Sequence, residues 1–294
     1  MPLSPYSYDT RDQSRAAEVV LSLPILSVVV PAYNEEATIT QILKRLHCLS
    51  CLKEVIVVDD GSTDATCQKV QALRLPKVRL LRHERNAGKT AAVRRGLQEV
   101  TGEITIIQDA DLEYAPEEIS DIILPIVQHQ ADVVYGSRFR VKKAARVLYF
   151  YHYLANKLLT LLSNLLTNVN LTDIETCYKA FRTPLIKSMP LSSSGFGMEV
   201  EITALITKTR ARLYEVPISY YGRAYEEGKK IKARDGLWAL WYIVYYNTVA
   251  SRAVMRRQYI REANAFLASL SAPAEDVSQT GVEDDPCQEG AQRD

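Results

Sequence analysis

Two hydrophobic periods alternate between residues 25 and 137. The runs "ILSVVV", "EVIVVD", "KVRLLRH", "EITIIQD" and "ADVVYGS" are short and rich in β-branched residues, which predicts strands. Between them, apolar positions recur at helical spacing near residues 35–47, 63–73, 88–99 and 116–128. Such alternation predicts an α/β fold, a mostly parallel sheet with helices on both faces. Ligands of these sheets bind beyond the carboxyl ends of the strands. The polar segments "PAYNEE", "DDGSTD", "NAGKT" and "DADLEY" all fall there, each directly after a predicted strand.

After residue 139 the pattern changes. Arg138, Arg140, Lys142, Lys143 and Arg146 lead into a stretch in which Leu158, Leu161, Leu162, Leu165 and Leu166 repeat at helical spacing, with Thr160, Ser163, Asn164, Thr167 and Asn168 opposite. The stretch Gly236 to Ser251 is uncharged, carries Trp238, Trp241, Tyr242, Tyr245 and Tyr246, and precedes Arg252, Arg256 and Arg257. It is shorter than the ~20 residues that cross a bilayer. Aromatic residues beside basic ones suit a helix lying in the membrane interface; packing of both helices on the sheet is the alternative.

Composition narrows the picture. Hydrophobic residues make up 47% of 294, enough for a substantial core, and the formal net charge of +1 gives no case for a nucleic-acid partner. Cys48, Cys51, Cys67, Cys177 and Cys287 are an odd, irregular set that suits a reducing compartment. His47, Cys48 and Cys51 lack a second ligand pair at zinc-site spacing. The first apolar run leads into a turn, not a small-residue cleavage site, so no secretory signal is expected. Residues 1–23 and the acidic residues 272–294 are expected to be disordered tails.

"NAGKT" suggests a phosphate-binding loop, but His83 stands where the first glycine of that motif belongs. The first strand is also followed by no Gly-x-Gly-x-x-Gly, which disfavours a dinucleotide site. Asn86 and Gly88 fit a tight turn, with Gly88 free to take positive φ. Asp109 and Asp111 leave the fourth strand at alternating positions, and their hard oxygens suit Mg²⁺ or Mn²⁺ shared with a diphosphate. Alone, that pair reads equally as a solvated turn capping the next helix.

Taken in order, "SVVVPAYNEE", "VIVVDDGSTD", "RNAGKTAAVRRG", "IIQDADLEY" and "VVYGSRF" resemble glycosyltransferase family 2, of GT-A fold. "DIETCYKAFR" and "VPISYYGRAYEEGKKI" are similar to its dolichol- or polyprenyl-phosphate mannose synthase branch. The resemblance implies a catalytic domain over residues 24–235; the apolar and aromatic stretches described above are expected to form a membrane-facing insertion at about 145–172 and amphipathic interfacial helices over 236–271. It implies that Pro31, Tyr33, Glu35, Val58 and Asp60 line the nucleotide pocket, while Asp109, Ala110 and Asp111 meet the diphosphate and metal. Glu113 is a further metal-ligand candidate, and Arg138, Arg223 and Lys229 would hold phosphate charge.

The implied reaction is hexosyl transfer, with inversion, from a nucleotide sugar such as GDP-mannose or UDP-glucose to an isoprenoid lipid phosphate. An enzyme of this kind is expected in the cytoplasm, peripherally associated with the membrane. A phosphate oxygen is already anionic and does not require a general base. Asp109, Asp111 and Arg138 would then act by neutralising and positioning. Asp173 and Glu175 are expected to organise the acceptor site, so Asp173→Asn should retain substantial turnover. Two alternatives stay open: a hydroxyl acceptor with Asp173 or Glu175 as base, and a non-catalytic docking subunit.

Overall fold

The computed structural model describes residues 17, 19–140, 147, 149–194, 197–222 and 233–271. Its centre is a seven-stranded sheet in the order β3-β2-β1-β4-β6-β5-β7. The strands are β1 (Leu26–Ala32), β2 (Leu52–Asp59), β3 (Val78–Arg82), β4 (Ile104–Ile107), β5 (Val133–Ser137), β6 (Lys179–Arg182) and β7 (Leu213–Pro217). Pairing is parallel except at β6, which runs against both β4 and β5. Val28, Val29, Val55, Ile56, Ile106 and Ile107 meet in register across the three central strands, all essentially inaccessible to water. Strands covered on both faces read as continuous apolar runs, and these do.

The four helices predicted between residues 35 and 128 appear, each shortened at its start. Helix α1 (Ile39–His47) buries Ile39, Ile42, Leu43 and Leu46, and α2 spans Thr66–Leu73. Helix α3 (Lys89–Glu99) follows Gly88, whose φ of 91° is the positive value expected of it. A short 3₁₀ turn, Pro116–Glu118, leads into α4 (Ile119–Val127), which buries Ile119, Ile122, Ile123 and Ile126.

The second half adds α5 (Phe150–Thr167), α6 (Thr183–Lys187), α7 (Met198–Ile206), α8 (Ala233–Asn247) and α9 (Val254–Ser271). Every residue of α7 is buried, Glu199 and Glu201 included. A buried carboxylate needs partners. Glu201 accepts from Arg256 of α9 and from the amides of Ser192 and Ser193, so the C-terminal helix is tied to the core by charge.

Helix α5 is inside out. Thr160 and Ser163 face the protein, and Asn164 donates to Leu171 O at 2.8 Å. Leu158, Leu161, Leu165 and Leu166 face outward, with Leu165 72% exposed, while Leu162 is half-buried and Leu159 buried. Helix α8 buries Ala239, Ile243 and Tyr246, while Trp238, Leu240, Trp241 and Val244 are exposed. No described helix is long and apolar enough to cross a membrane.

Residues 1–16 and 272–294, most of the two predicted tails, lie outside the described residues, as do Lys142, Lys143 and Arg146. The inner end of the predicted N-terminal tail packs on the domain, since Ala17 is buried and Ser50 Oγ donates to Leu21 O at 3.0 Å.

Candidate active site

The loops after β1 and β2 bind each other. Asn34, at φ 53°, donates its amide to Ser62 Oγ and accepts from Thr63 N, at 3.0 and 2.9 Å. The Glu35 amide donates to Thr66 Oγ1, and Glu36 N to Asp64. Pro31 lies beside Val58 in register; Val58 is fully buried beneath this shelf, whereas the Tyr33 ring is exposed on it. Glu35 accepts from Thr38 Oγ1 at 3.1 Å, at the entrance to α1.

Asp60 is occupied by its own chain. Its carboxylate meets His83 Nδ1 at 2.6 Å and accepts from the amides of Ala87 and Gly88 at 3.0 and 2.7 Å. Asp60 therefore holds the "NAGKT" turn in place. Gly61 makes room for it: a Cβ there would lie 2.7 Å from the Arg85 carbonyl carbon, and its φ of 73° already favours glycine.

Strand β4 ends at Ile107, and Asp109 and Asp111 lie in the turn that leaves it. Leu112, at φ 63°, closes that turn, and Ala110 is buried under it. Asp111 accepts from Glu113 N at 3.1 Å. Tyr220 OH donates to Glu113 Oε2 at 2.8 Å, and Tyr221 N to Glu113 O at 2.9 Å. Burial and the Glu113 carboxylate raise the pKa of the Tyr220 hydroxyl, keeping it a donor. The chain leaving β7 is thus stitched to the acidic turn immediately before the segment carrying Arg223 and Lys229. Both of those residues lie outside the described ones.

Lys89 enters this site from the first turn of α3. Its Nζ lies 2.9 Å from Asp109 Oδ1 and 3.0 Å from Glu199 Oε1. Burial opposes its charge, but Asp109, Cys177 and Glu199 raise its pKa well above the usual lysine value. Behind it, Glu199 Oε2 and Glu175 Oε1 are buried without a hydrogen-bond partner. Burial, reinforced by Glu199, pushes the Glu175 carboxyl up to about 8. The adjacent Lys179 ammonium is buried and donates to the carbonyls of Ile174 and Thr176, shaping the "DIETCYK" turn.

Arg138, at the end of β5, forms a bidentate pair with Asp173: Nε and one terminal nitrogen each lie 2.7 Å from a carboxylate oxygen, and the Arg138 amide donates as well at 3.1 Å. Burial would raise the pKa of Asp173, but Arg138 holds it below the ordinary value. The guanidinium also lies over the Tyr220 ring, 5.1 Å from its centroid. Glu215 of β7 accepts from the amides of Thr172 and Asp173, which places Asp173 under Arg138.

The loops after β1, β2 and β4, the turn before α3 and the end of β5 thus stand at one edge of a mostly parallel sheet, as in GT-A glycosyltransferases. Residues 27–189 match the model of glycosyl transferase family 2, and the chain belongs to that family. It is 30% identical over 210 residues to a dolichol-phosphate mannosyltransferase of Pyrococcus furiosus, covering 69% of this chain and 58% of that one. A polyprenol monophosphomannose synthase of Mycolicibacterium smegmatis is 29% identical over 210 residues, covering 67% of this chain and 77% of its own. The fold matches a crystal structure of glucosyl-3-phosphoglycerate synthase from Mycobacterium tuberculosis with a TM-score of 0.61 at 21% identity, over 79% of this chain and 82% of that one.

Sequence reasoning set Lys89 aside and missed Glu199, Lys179 and Tyr220. Glutamates inside the apolar run "MEVEITALI" were the available signal, because charges on a buried helix demand partners.

The Glu175 shift sets a pH dependence. Folded protein keeps this proton up to about pH 8, whereas the unfolded chain releases it from about 4.5 upward. Stability therefore falls as pH rises through that window, by at most ~1.4 kcal/mol per pH unit for one proton. Glu175→Gln should flatten the fall. Urea unfolding at pH 5.5 and pH 8 checks this; an unchanged difference between the two pH values would mean that Glu175 is ionised in the folded state throughout.

Proposed function

We propose that this protein transfers a hexose, with inversion, from a nucleoside-diphosphate sugar to an isoprenoid lipid phosphate at a membrane surface. The Arg138–Asp173 pair carries this reading. A hydroxyl acceptor needs a base, but Asp173 is 0% exposed and both its oxygens are engaged by Arg138. Glu175, its pKa raised to about 8, is largely protonated at neutral pH and equally unsuited to accept a proton. A phosphate oxygen arrives anionic and needs a positive guide more than a base. Arg138, held rigid from below and stacked on Tyr220, provides one. The names of these two relatives, dolichol-phosphate mannosyltransferase and polyprenol monophosphomannose synthase, refer to isoprenoid-linked phosphates, consistent with this acceptor.

On the donor side, the exposed Tyr33 ring and the shelf over Val58 form a surface for the base. Asp60 supports that surface through the "NAGKT" turn. Asp109 and Asp111 supply hard oxygens at the turn after β4. Among the described residues no group of three or more His, Cys, Asp or Glu is placed to hold a metal. The two carboxylates fit Mg²⁺ or Mn²⁺ in the way such ions are often held, by one or two carboxylates together with substrate phosphates. Bound there, the cation would neutralise charge developing on the departing nucleoside diphosphate. Arg223 and Lys229 complete the phosphate-binding set in this proposal.

The outward leucines of α5 and the indoles of α8 form the membrane face. Helices α5 and α8 pack against each other, with Tyr151 81% and Trp238 57% exposed. Apolar surface on this scale marks an interaction site, and its aromatic belt suits a lipid interface.

A donor screen tests the reaction: GDP-mannose and UDP-glucose with Mg²⁺ or Mn²⁺ and a C55 polyprenyl phosphate, product mass being measured. A glycosylated lipid phosphate is expected; product with hydroxyl acceptors alone would overturn the reading. Asp173→Asn should raise KM for the lipid phosphate about tenfold or more while kcat stays within about an order of magnitude, because it loosens Arg138 without removing a base. A collapse of kcat at unchanged KM would make Asp173 the base instead. Replacing Leu158, Leu161 and Leu165 together by Asn should cut sedimentation with liposomes about tenfold or more without altering the circular dichroism spectrum. Undiminished sedimentation would place the membrane face elsewhere.

A further inference from the structure

Lys89 occupies an unusual position. It is the first residue of α3, where the helix dipole disfavours a cation, yet its ammonium bridges two carboxylates contributed by β4's loop and by α7. One of these, Asp109, is partly open to solvent; the other, Glu199, is buried, with one oxygen satisfied by Lys89 and the second without a partner. Asp109 also faces the Cys177 thiol, whose pKa is raised by burial and by that carboxylate. Lys89 therefore satisfies part of the negative charge of two separate chain segments at once.

We infer that Lys89 is an internal counter-cation that makes metal binding at Asp109 conditional on the nucleotide diphosphate. The inference rests on the metal assignment proposed above. A free divalent ion competing for Asp109 must break the 2.9 Å pair and gains only a second carboxylate, Asp111, in return. When a nucleoside diphosphate is present, its phosphates supply the missing ligands and offer the displaced ammonium a new anion. Glu199 is the reason Lys89 can yield: at 3.0 Å it keeps the ammonium paired while Asp109 is released. The two carboxylates thus have opposite effects on metal affinity. Asp109 is contested, and Glu199 draws the competitor away.

Mn²⁺ binding to the full chain, followed by electron paramagnetic resonance or calorimetry without turnover, tests this in the absence and presence of GDP or UDP. The wild type should bind Mn²⁺ weakly alone and much more tightly with the diphosphate. Lys89→Met should tighten binding of Mn²⁺ alone by about tenfold and shrink the coupling to diphosphate by a similar factor. Glu199→Gln should act in the opposite direction, because Lys89 is then left wholly to Asp109. If Lys89→Met does not fold, the double variant Lys89→Met with Glu199→Gln leaves neither charge buried alone, and it should still bind Mn²⁺ more tightly than the wild type. Variants that bind Mn²⁺ like the wild type, while the wild type shows coupling to diphosphate, would overturn the role of Lys89 alone. A wild type that binds no Mn²⁺ even with GDP or UDP would overturn the metal assignment and this inference together.

Discussion

Charge buried at the carboxyl edge of the sheet must be matched by charge, and that requirement joins the two halves of the chain. Lys89 and Glu199 are 110 residues apart in sequence, and Arg138 and Asp173 are 35 apart. Each pair places one member on the early strand-and-helix scaffold and the other on the later segments that cover it. Asp132 does the same at the opposite edge, accepting from Arg182 and Arg212. Breaking one partner of such a pair leaves a buried charge uncompensated, which costs ~3–5 kcal/mol. The site's geometry is therefore specified by the same contacts that close the fold.

The inside-out helix obeys the same accounting. Its polar stripe is turned inward because Ile174 N and Leu171 O, in the segment leading to Asp173, need partners, and Thr160 and Asn164 supply them. The leucines are left on the surface as a consequence. The segment that fixes Asp173 and the face assigned to the membrane are thus two sides of one helix.

The scaffold could be read from sequence because its signals are local. Every predicted strand and helix of residues 25–137 is present within a few residues, since β-branched runs and helical spacing need no distant partner. Strands β6 and β7 were not predicted: β6 is only "KAFR", inside a motif read for its carboxylates, and β7 alternates weakly between half-buried and exposed positions. The spacing of α5 showed two stripes but not which one faces in. Lys89 was set aside because the loop motif it suggested is incomplete. Its actual partners are distant in sequence, and no spacing rule joins Gly-Lys-Thr to a glutamate on α7. Asp60 was read as a pocket residue from family resemblance; its hydrogen bonds with the Ala87 and Gly88 amides, which also tie it to the "NAGKT" turn, have no local sequence signal.

The reversed strand has a consequence for how the chain reaches this state. β5 is made before β6 yet pairs only with β6 and β7 among the described strands, so it has no edge to join until residues 179–182 have settled beside β4. The first three strands can assemble by nearest-neighbour crossovers. The half-sheet bearing Arg138 must wait for a segment more than 40 residues downstream of β5. Non-local pairing of this kind slows folding and leaves apolar strand edges open in the interval. A fragment ending shortly after residue 140 would hold the acidic turn and Lys89 but expose an unpaired β4 edge. The half bearing Lys89 and the acidic turn is therefore not a module that can be excised from the half bearing Asp173 and Glu199.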